Sequence, residues 1–170
     1  MASVALVMVS VVGGSALAAR DRSTLKVPGG LAVSEFKGYE TWRPVAVSQT
    51  ESGIKVIVAN GVMLKAFRSG LPADGKVFPE GSKVAKIEWV RRQNTVSPYP
   101  VYVPGDLKSL SLIEKDSKRF PKTHGWAYAQ FVNDPASGVL KPTGTGAECG
   151  FACHTKVAAQ DYTYTAYPAR

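Results

Sequence analysis

The sequence predicts a mainly β chain of the α+β class with a few short helices, and three observations carry that prediction. GIKVIVAN (53–60) is a β-branched run that stops at Asn60-Gly61. SKVAKIEWV (82–90) alternates, with Val84, Lys86, Glu88 and Val90 on one face and Ala85, Ile87 and Trp89 on the other. YPVYV (99–103), GWAYAQFV (125–132) and DYTYTAY (161–167) have the same β-rich character and are separated by Gly, Pro and Asp turns.

The elements follow in order. MASVALVMVSVVGGSALAA is an apolar run that ends in small residues and offers a cleavage point after Ala18 or Ala19, so residues 1–19 are expected to be an export signal, one that lacks a basic stretch before the run. A coil over 20–37 holds Pro28, Gly29 and Gly30. SEFKGYETWRPV is expected to hold a short helix, capped by Ser34 and stopped before Pro44. After the 53–60 strand the period changes. In NGVMLKAFRSG, residues Val62, Met63, Ala66 and Phe67 share a helical face, and Gly70 is the stop. The sequence shows no internal repeat and no later segment of membrane-spanning length.

Composition sets the class of protein before any motif is considered. A chain of 170 residues, 45% hydrophobic and 20% charged, is long enough for one domain with a real core. Its formal charge is +8, but the 21 basic residues are scattered among 13 acidic ones. No basic helix or run results, so nucleic acid is not the expected partner.

Both cysteines and one of the two histidines fall within AECGFACH (147–154). Two thiols that can add to porphyrin vinyl groups, followed at once by an imidazole for the iron, are the chemistry of a c-type haem site, usually spaced C-x-x-C-H. Here the spacing is C-x-x-x-C-H. Cys153 and His154 hold the expected positions, Cys149 lies one residue further away, and Gly150 stands where the first cysteine would be. Three other readings compete on the residues alone. They are a Cys149–Cys153 disulfide closing a very short ring, a zinc site that would need His124 or carboxylates, and a Cys-His nucleophile. A sixth iron ligand would have to come from Met63 or His124. Met63 sits on the apolar helix face and His124 in the turn PKTHGW, so the distal iron position is expected to be open.

KGYETWRPVA, IKVIVANGVMLKAFRSG, FPEGSKVAKIEWV, THGWAYAQFV and LKPTGTGAECGFACHTKVAAQDYTYTAYP stand in the order of blocks that resemble the cytochrome P-460 family, related to cytochrome c′-beta. The resemblance runs from about Gly38 to Pro168, giving a haem domain over 38–170. It implies a single antiparallel β-sheet domain, exported, with haem c as the cofactor. It also implies roles for particular residues: thioethers at Cys149 and Cys153, and His154 as the proximal ligand. Lys86 would be the amine joined to the porphyrin edge, with Lys83 as the neighbouring candidate in register. On its residues alone, Lys86 is a solvent-facing lysine paired with Glu88.

Ser111 falls where the family's oxidising members carry a distal carboxylate, and serine cannot act as a carboxylate base. Glu88 is the candidate catalytic substitute, against the plainer reading of a solvated strand residue. Phe78, in the loop before the Lys86 strand, is the candidate distal cap. The function implied is oxidation of hydroxylamine or a related small nitrogen compound, with electrons passed to an exported acceptor protein. The alternative is a non-catalytic cytochrome that binds nitric oxide or another diatomic gas. The assembly considered is a homodimer.

Overall fold

The computed structural model describes residues 22–144, 146–148 and 150–167. The expected export signal and Cys149 lie outside them. Six strands form one antiparallel sheet in chain order: β1 (Arg43–Gln49), β2 (Gly53–Ala59), β3 (Lys83–Gln93), β4 (Tyr102–Lys115), β5 (Trp126–Asp134) and β6 (Val139–Thr143). Every strand pairs with its sequence neighbour, through hairpin connections except between β2 and β3, where residues 60–82 intervene. The predicted single antiparallel sheet with few helices is the observed architecture.

Alternation gives the sheet two buried faces. Ala85, Leu110, Leu112, Ala127, Ala129, Phe131 and Leu140 point one way, into a core closed by Val27, Leu31, Val33, Phe36 and Tyr39. The segment expected as an N-terminal coil is therefore a packed layer. It is built from 3-10 turns at Arg22–Thr24, Val33–Phe36 and Tyr39–Thr41. Leu31 and Phe36 are fully buried there, and each large apolar side chain so buried contributes roughly 1.5–3 kcal/mol. Ser34 does not cap this segment. Ala32 holds the N-cap position, and its N–H donates to the Glu35 carboxylate at 2.7 Å.

The opposite face carries Ala59, Val84, Trp126 and Tyr128. It is covered by α1 (Gly61–Arg68), the loop holding Phe78, and the C-terminal segment with α2 (Phe151–His154). Asn60 explains how α1 is set on the sheet. Its Oδ1 accepts the Met63 N–H at 3.0 Å and the Lys83 N–H at 3.2 Å, while its Nδ2 donates to the Gly81 carbonyl at 2.8 Å. Gly70 ends the helix region at φ 84°.

Three sequence expectations need correction. The strand expected over 99–103 begins at Tyr102 and runs to Lys115, so most of the expected strand is hairpin loop and the real one lies further on. Arg43–Gln49 and Val139–Thr143 are strands that the turn and proline signals concealed. DYTYTAY is not a strand, because Asp161 at φ 46° and Tyr162 at φ 58° turn the chain out of the extended region. It crosses the second face as an irregular clasp.

Candidate functional site

One cavity of about 300 Å³ on the second face is lined by Lys86, Ser111, Leu112, Ile113, Tyr128, Ala129, Gln130, Gly150, Cys153 and His154. Strand register builds half of it: Lys86 pairs with Ser111 on β4, and Ser111 with Gln130 on β5, so three polar side chains form a row across the sheet. The α2 segment supplies the other half. Sequence reasoning had named Lys86, Ser111, Cys153 and His154 from separate stretches, and the fold brings all four to one cavity.

Gly150 sets how closely α2 sits on the sheet. A Cβ at this position would lie 2.6 Å from Tyr128 Cβ and 2.8 Å from its Cγ. The backbone of Gly150 is ordinary (φ −90°, ψ −20°), so glycine is required by the close approach and not by its torsion angles. Hence the position where a standard C-x-x-C-H motif places its first cysteine has no room for any side chain.

His154 is oriented by its second nitrogen. Nδ1 donates to the Tyr162 carbonyl at 2.6 Å, which leaves Nε2 as the unprotonated nitrogen of the neutral ring. The imidazole lies 4.3 Å from the Tyr128 ring and 5.0 Å, edge on, from Tyr164. Burial lowers its pKa, the Tyr162 carbonyl opposes that shift and the Lys86 charge adds to it. Tyr164 in turn donates its hydroxyl to the Cys153 carbonyl at 2.7 Å, tying the 161–167 clasp to α2. Cys153 is exposed and its thiol is free.

Lys86 lies in the same cavity with its pKa lowered, first by burial and then by the neighbouring charge of Lys55, with Glu88 opposing. No hydrogen bond or ion pair of its ammonium is found among the described residues. The neighbouring candidate Lys83 faces the other side of the sheet, where it pairs with Glu114 at 3.0 Å and donates to the Glu35 carbonyl at 2.8 Å. Ser111 Oγ is buried and, among the described residues, has no hydrogen-bond partner. A buried hydroxyl without a partner is costly, so it marks a place where a bound group would find a donor.

Glu88 and Phe78 are placed elsewhere. Glu88 is 7% exposed, not a solvated strand residue, and sits one row beyond Lys86. Its carboxylate accepts from Lys108 at 3.0 Å and Ser109 at 3.4 Å, and lies 4.0 Å from Lys55. Burial would raise its pKa, but the Lys108 hydrogen bond and the charges of Lys55, Lys108 and Lys86 outweigh it and hold the carboxyl below its ordinary range. It does not line the cavity. Phe78 is a core residue, edge-on to Phe67 at 5.0 Å and to Trp126 at 6.1 Å, and is likewise absent from the lining. Met63 is fully buried in the same core, and His124 is exposed in a left-handed turn at φ 54°.

Tyr128 was missed by sequence reasoning. Its signal was available in GWAYAQFV, where alternation sets it opposite Ala127 and Ala129. The phenol is held neutral, its pKa raised by burial and then by the Asp161 charge, and it donates to the Tyr162 carbonyl at 3.1 Å.

Among the described residues, a free thiol, a histidine with its Nε2 uncommitted and a buried hydroxyl without a partner stand around one cavity, a set that fits a porphyrin iron centre. No curated protein matches the chain. The family model for cytochrome P460 matches residues 36–165, a span that takes in the whole sheet, the cavity and the clasp as far as residue 165. A haem-binding cytochrome accounts for both the match and the cavity, and the chain belongs to the cytochrome P460 family.

Proposed function

We propose that this chain is an exported c-type haem protein with an open distal site, acting on hydroxylamine or a related small nitrogen compound as an oxidoreductase. The observation that carries the reading is Lys86, a desolvated amine with no ion pair among the described residues, in the cavity that also holds Cys153 and His154. In this reading Cys149 and Cys153 attach the haem, His154 Nε2 binds the iron, and residues 1–19 direct export. The bound haem would supply one-electron chemistry at an iron with a free coordination position. The remaining roles belong to side chains. Tyr128 and the Tyr162 carbonyl fix the imidazole, Ser111 offers a hydroxyl to a small polar ligand, and Lys86 presents its amine to the porphyrin edge. A crosslink from that amine to the porphyrin would replace one N–H and one C–H bond by one C–N bond, with loss of two protons and two electrons. It therefore requires an oxidant of the peroxide class.

A second reading has its own support. Among the described residues no carboxylate lines the cavity, and Glu88 is committed to Lys55, Lys108 and Ser109. A site without a carboxylate base suits a cytochrome that binds nitric oxide or another diatomic gas without turnover.

Intact-mass spectrometry, peptide mapping and the optical spectrum of protein matured with haem separate the two. Oxidase function predicts one haem peptide joined both to residues 149–154 and to the strand containing Lys86. An ordinary c-type spectrum with no such crosslinked peptide would transfer the assignment to gas binding. A protein that matures with a Cys149–Cys153 disulfide and no haem would defeat both.

A further inference from the structure

We propose that Asp161 is a positioning residue for the His154 imidazole, holding the Tyr162 carbonyl against Nδ1 and thereby setting the reduction potential of the iron that His154 binds. This rests on the haem reading above.

Asp161 is 4% exposed, and its carboxylate accepts four hydrogen bonds. Oδ1 receives Lys115 Nζ at 3.0 Å and Trp126 Nε1 at 3.1 Å; Oδ2 receives the Phe78 N–H at 2.8 Å and Lys115 Nζ at 3.2 Å. Lys115 is equally buried, at 4%, and also donates to the His124 carbonyl at 3.0 Å. The carboxylate thus joins the Phe78 loop, the end of β4 and the start of β5 to the C-terminal clasp.

The backbone at this junction is unusual. Asp161 and Tyr162 are consecutive non-glycine residues in the left-handed region, at φ 46° and 58°. Aspartate tolerates that region, but a bulky tyrosine there is a strained residue. The turn is closed by Asp161 N–H to the Ala158 carbonyl at 3.0 Å and Tyr162 N–H to the Val157 carbonyl at 3.1 Å. These torsions point the Tyr162 carbonyl at His154 Nδ1, and the Tyr128 hydroxyl occupies its second lone pair. Asp161 touches neither His154 nor the cavity lining. It acts through Tyr162.

A strong acceptor on Nδ1 raises the basicity of Nε2 and stabilises the oxidised metal. Loosening the turn lengthens that hydrogen bond, so the potential rises. A buried Asp161–Lys115 pair serving stability alone would leave the potential untouched.

The experiment reads the reduction potential of haem-loaded protein by spectroelectrochemistry, together with the iron–histidine stretching frequency of the ferrous form. Wild type is measured first, and absence of haem or of His154 ligation would bring down the proposed function and this inference with it. Asp161→Asn keeps the shape but places an amide donor among three donor groups. It is expected to shift the potential positive and lower the stretching frequency. Trp126→Phe removes one donor to Oδ1 and is expected to give a smaller shift in the same direction. Met63→Ala, a fully buried change in the same core away from the hydrogen-bond relay, should lower stability with both readouts unmoved. If Asp161→Asn folds and moves the potential no more than Met63→Ala, the proposal is overturned while the haem reading stands. If Asp161→Asn does not fold, Trp126→Phe decides, and a wild-type potential and stretching frequency in that variant overturn the proposal equally.

Discussion

Gly150→Ala tests whether the close approach of α2 to β5 determines the wide cysteine spacing. The added Cβ would stand 2.6, 2.8 and 3.2 Å from Tyr128 Cβ, Cγ and Cδ1. Carbon atoms settle at about 3.5–4.0 Å, so the contact must open by roughly 1 Å. Neither partner yields easily: Tyr128 is 3% exposed and its hydroxyl is bonded to the Tyr162 carbonyl. Overpacking of this kind costs about 1–3 kcal/mol. Gly150 is the N-cap of α2, where alanine is less favoured than glycine, so helix propensity does not offset this cost and the net change is destabilising. Urea unfolding should show the midpoint falling by roughly 0.5–1 M, given a denaturant slope of about 1–3 kcal/mol/M. The companion variant exchanges the motif's first positions, Cys149→Gly with Gly150→Cys, which restores the common C-x-x-C-H spacing. It should retain less haem than wild type after acid-acetone extraction, because the new cysteine needs the space that Tyr128 fills. Unfolding of Gly150→Ala at or above the wild-type midpoint, or full haem retention by the exchanged motif, would refute the steric reasoning.

Two further outcomes are expected. His154→Ala should abolish the proximal ligand signature in the optical spectrum, whereas His124→Ala should leave it nearly unchanged, since His124 is exposed and stacks on Tyr162 at 4.8 Å without reaching the cavity lining. In haem-free protein, Lys86→Met should raise stability at neutral pH by removing a desolvated ammonium that has no ion pair among the described residues. The folded protein's Lys86 pKa is depressed below the lysine value of 10.5, so the unfolded chain binds more protons between the two values. Wild-type stability therefore rises with pH across that window, and the advantage of Lys86→Met measured by unfolding should shrink as pH approaches 10.5.

The sheet was legible where side-chain patterning was strong. Strand β3 could be read because Val84, Lys86 and Glu88 alternate with Ala85, Ile87 and Trp89, and both faces prove to be used. The long β4 escaped because Pro104, Gly105 and Asp106 interrupt its pattern, although burial alternates afterwards from Leu110 to Glu114. The cavity was half legible. Cys153, His154, Lys86 and Ser111 were named from local chemistry and family resemblance, but their convergence depends on strand register, which no local pattern encodes. Glu88 was placed correctly on the Lys86 face, as a candidate for the pocket beside the plainer reading of a solvated residue, and it is neither solvated nor in the cavity lining. One row along a strand is enough to exchange the cavity for Lys55, Lys108 and Ser109. The Asp161–Lys115 hub was not legible at all, since its members stand far apart in the chain and DYTYTAY imitates a strand in composition.

That imitation has a physical consequence for how the motif works. A seventh strand over 161–167 would have satisfied its backbone groups in the sheet, and alternation would have sent Tyr162 and Tyr164 to the same face. The two left-handed residues instead free the Tyr162 carbonyl for His154 and Tyr128, and let Tyr164 reach across to the Cys153 carbonyl. The clasp thus holds α2 by two backbone carbonyls, one on either partner, and presses Gly150 onto Tyr128. Tyr128, whose ring lies against the imidazole and whose hydroxyl bonds the Tyr162 carbonyl, also removes the space for a side chain at position 150. The lack of a side chain at position 150 and the orientation of His154 are thus coupled through Tyr128, and a substitution that relaxes the first should loosen the second.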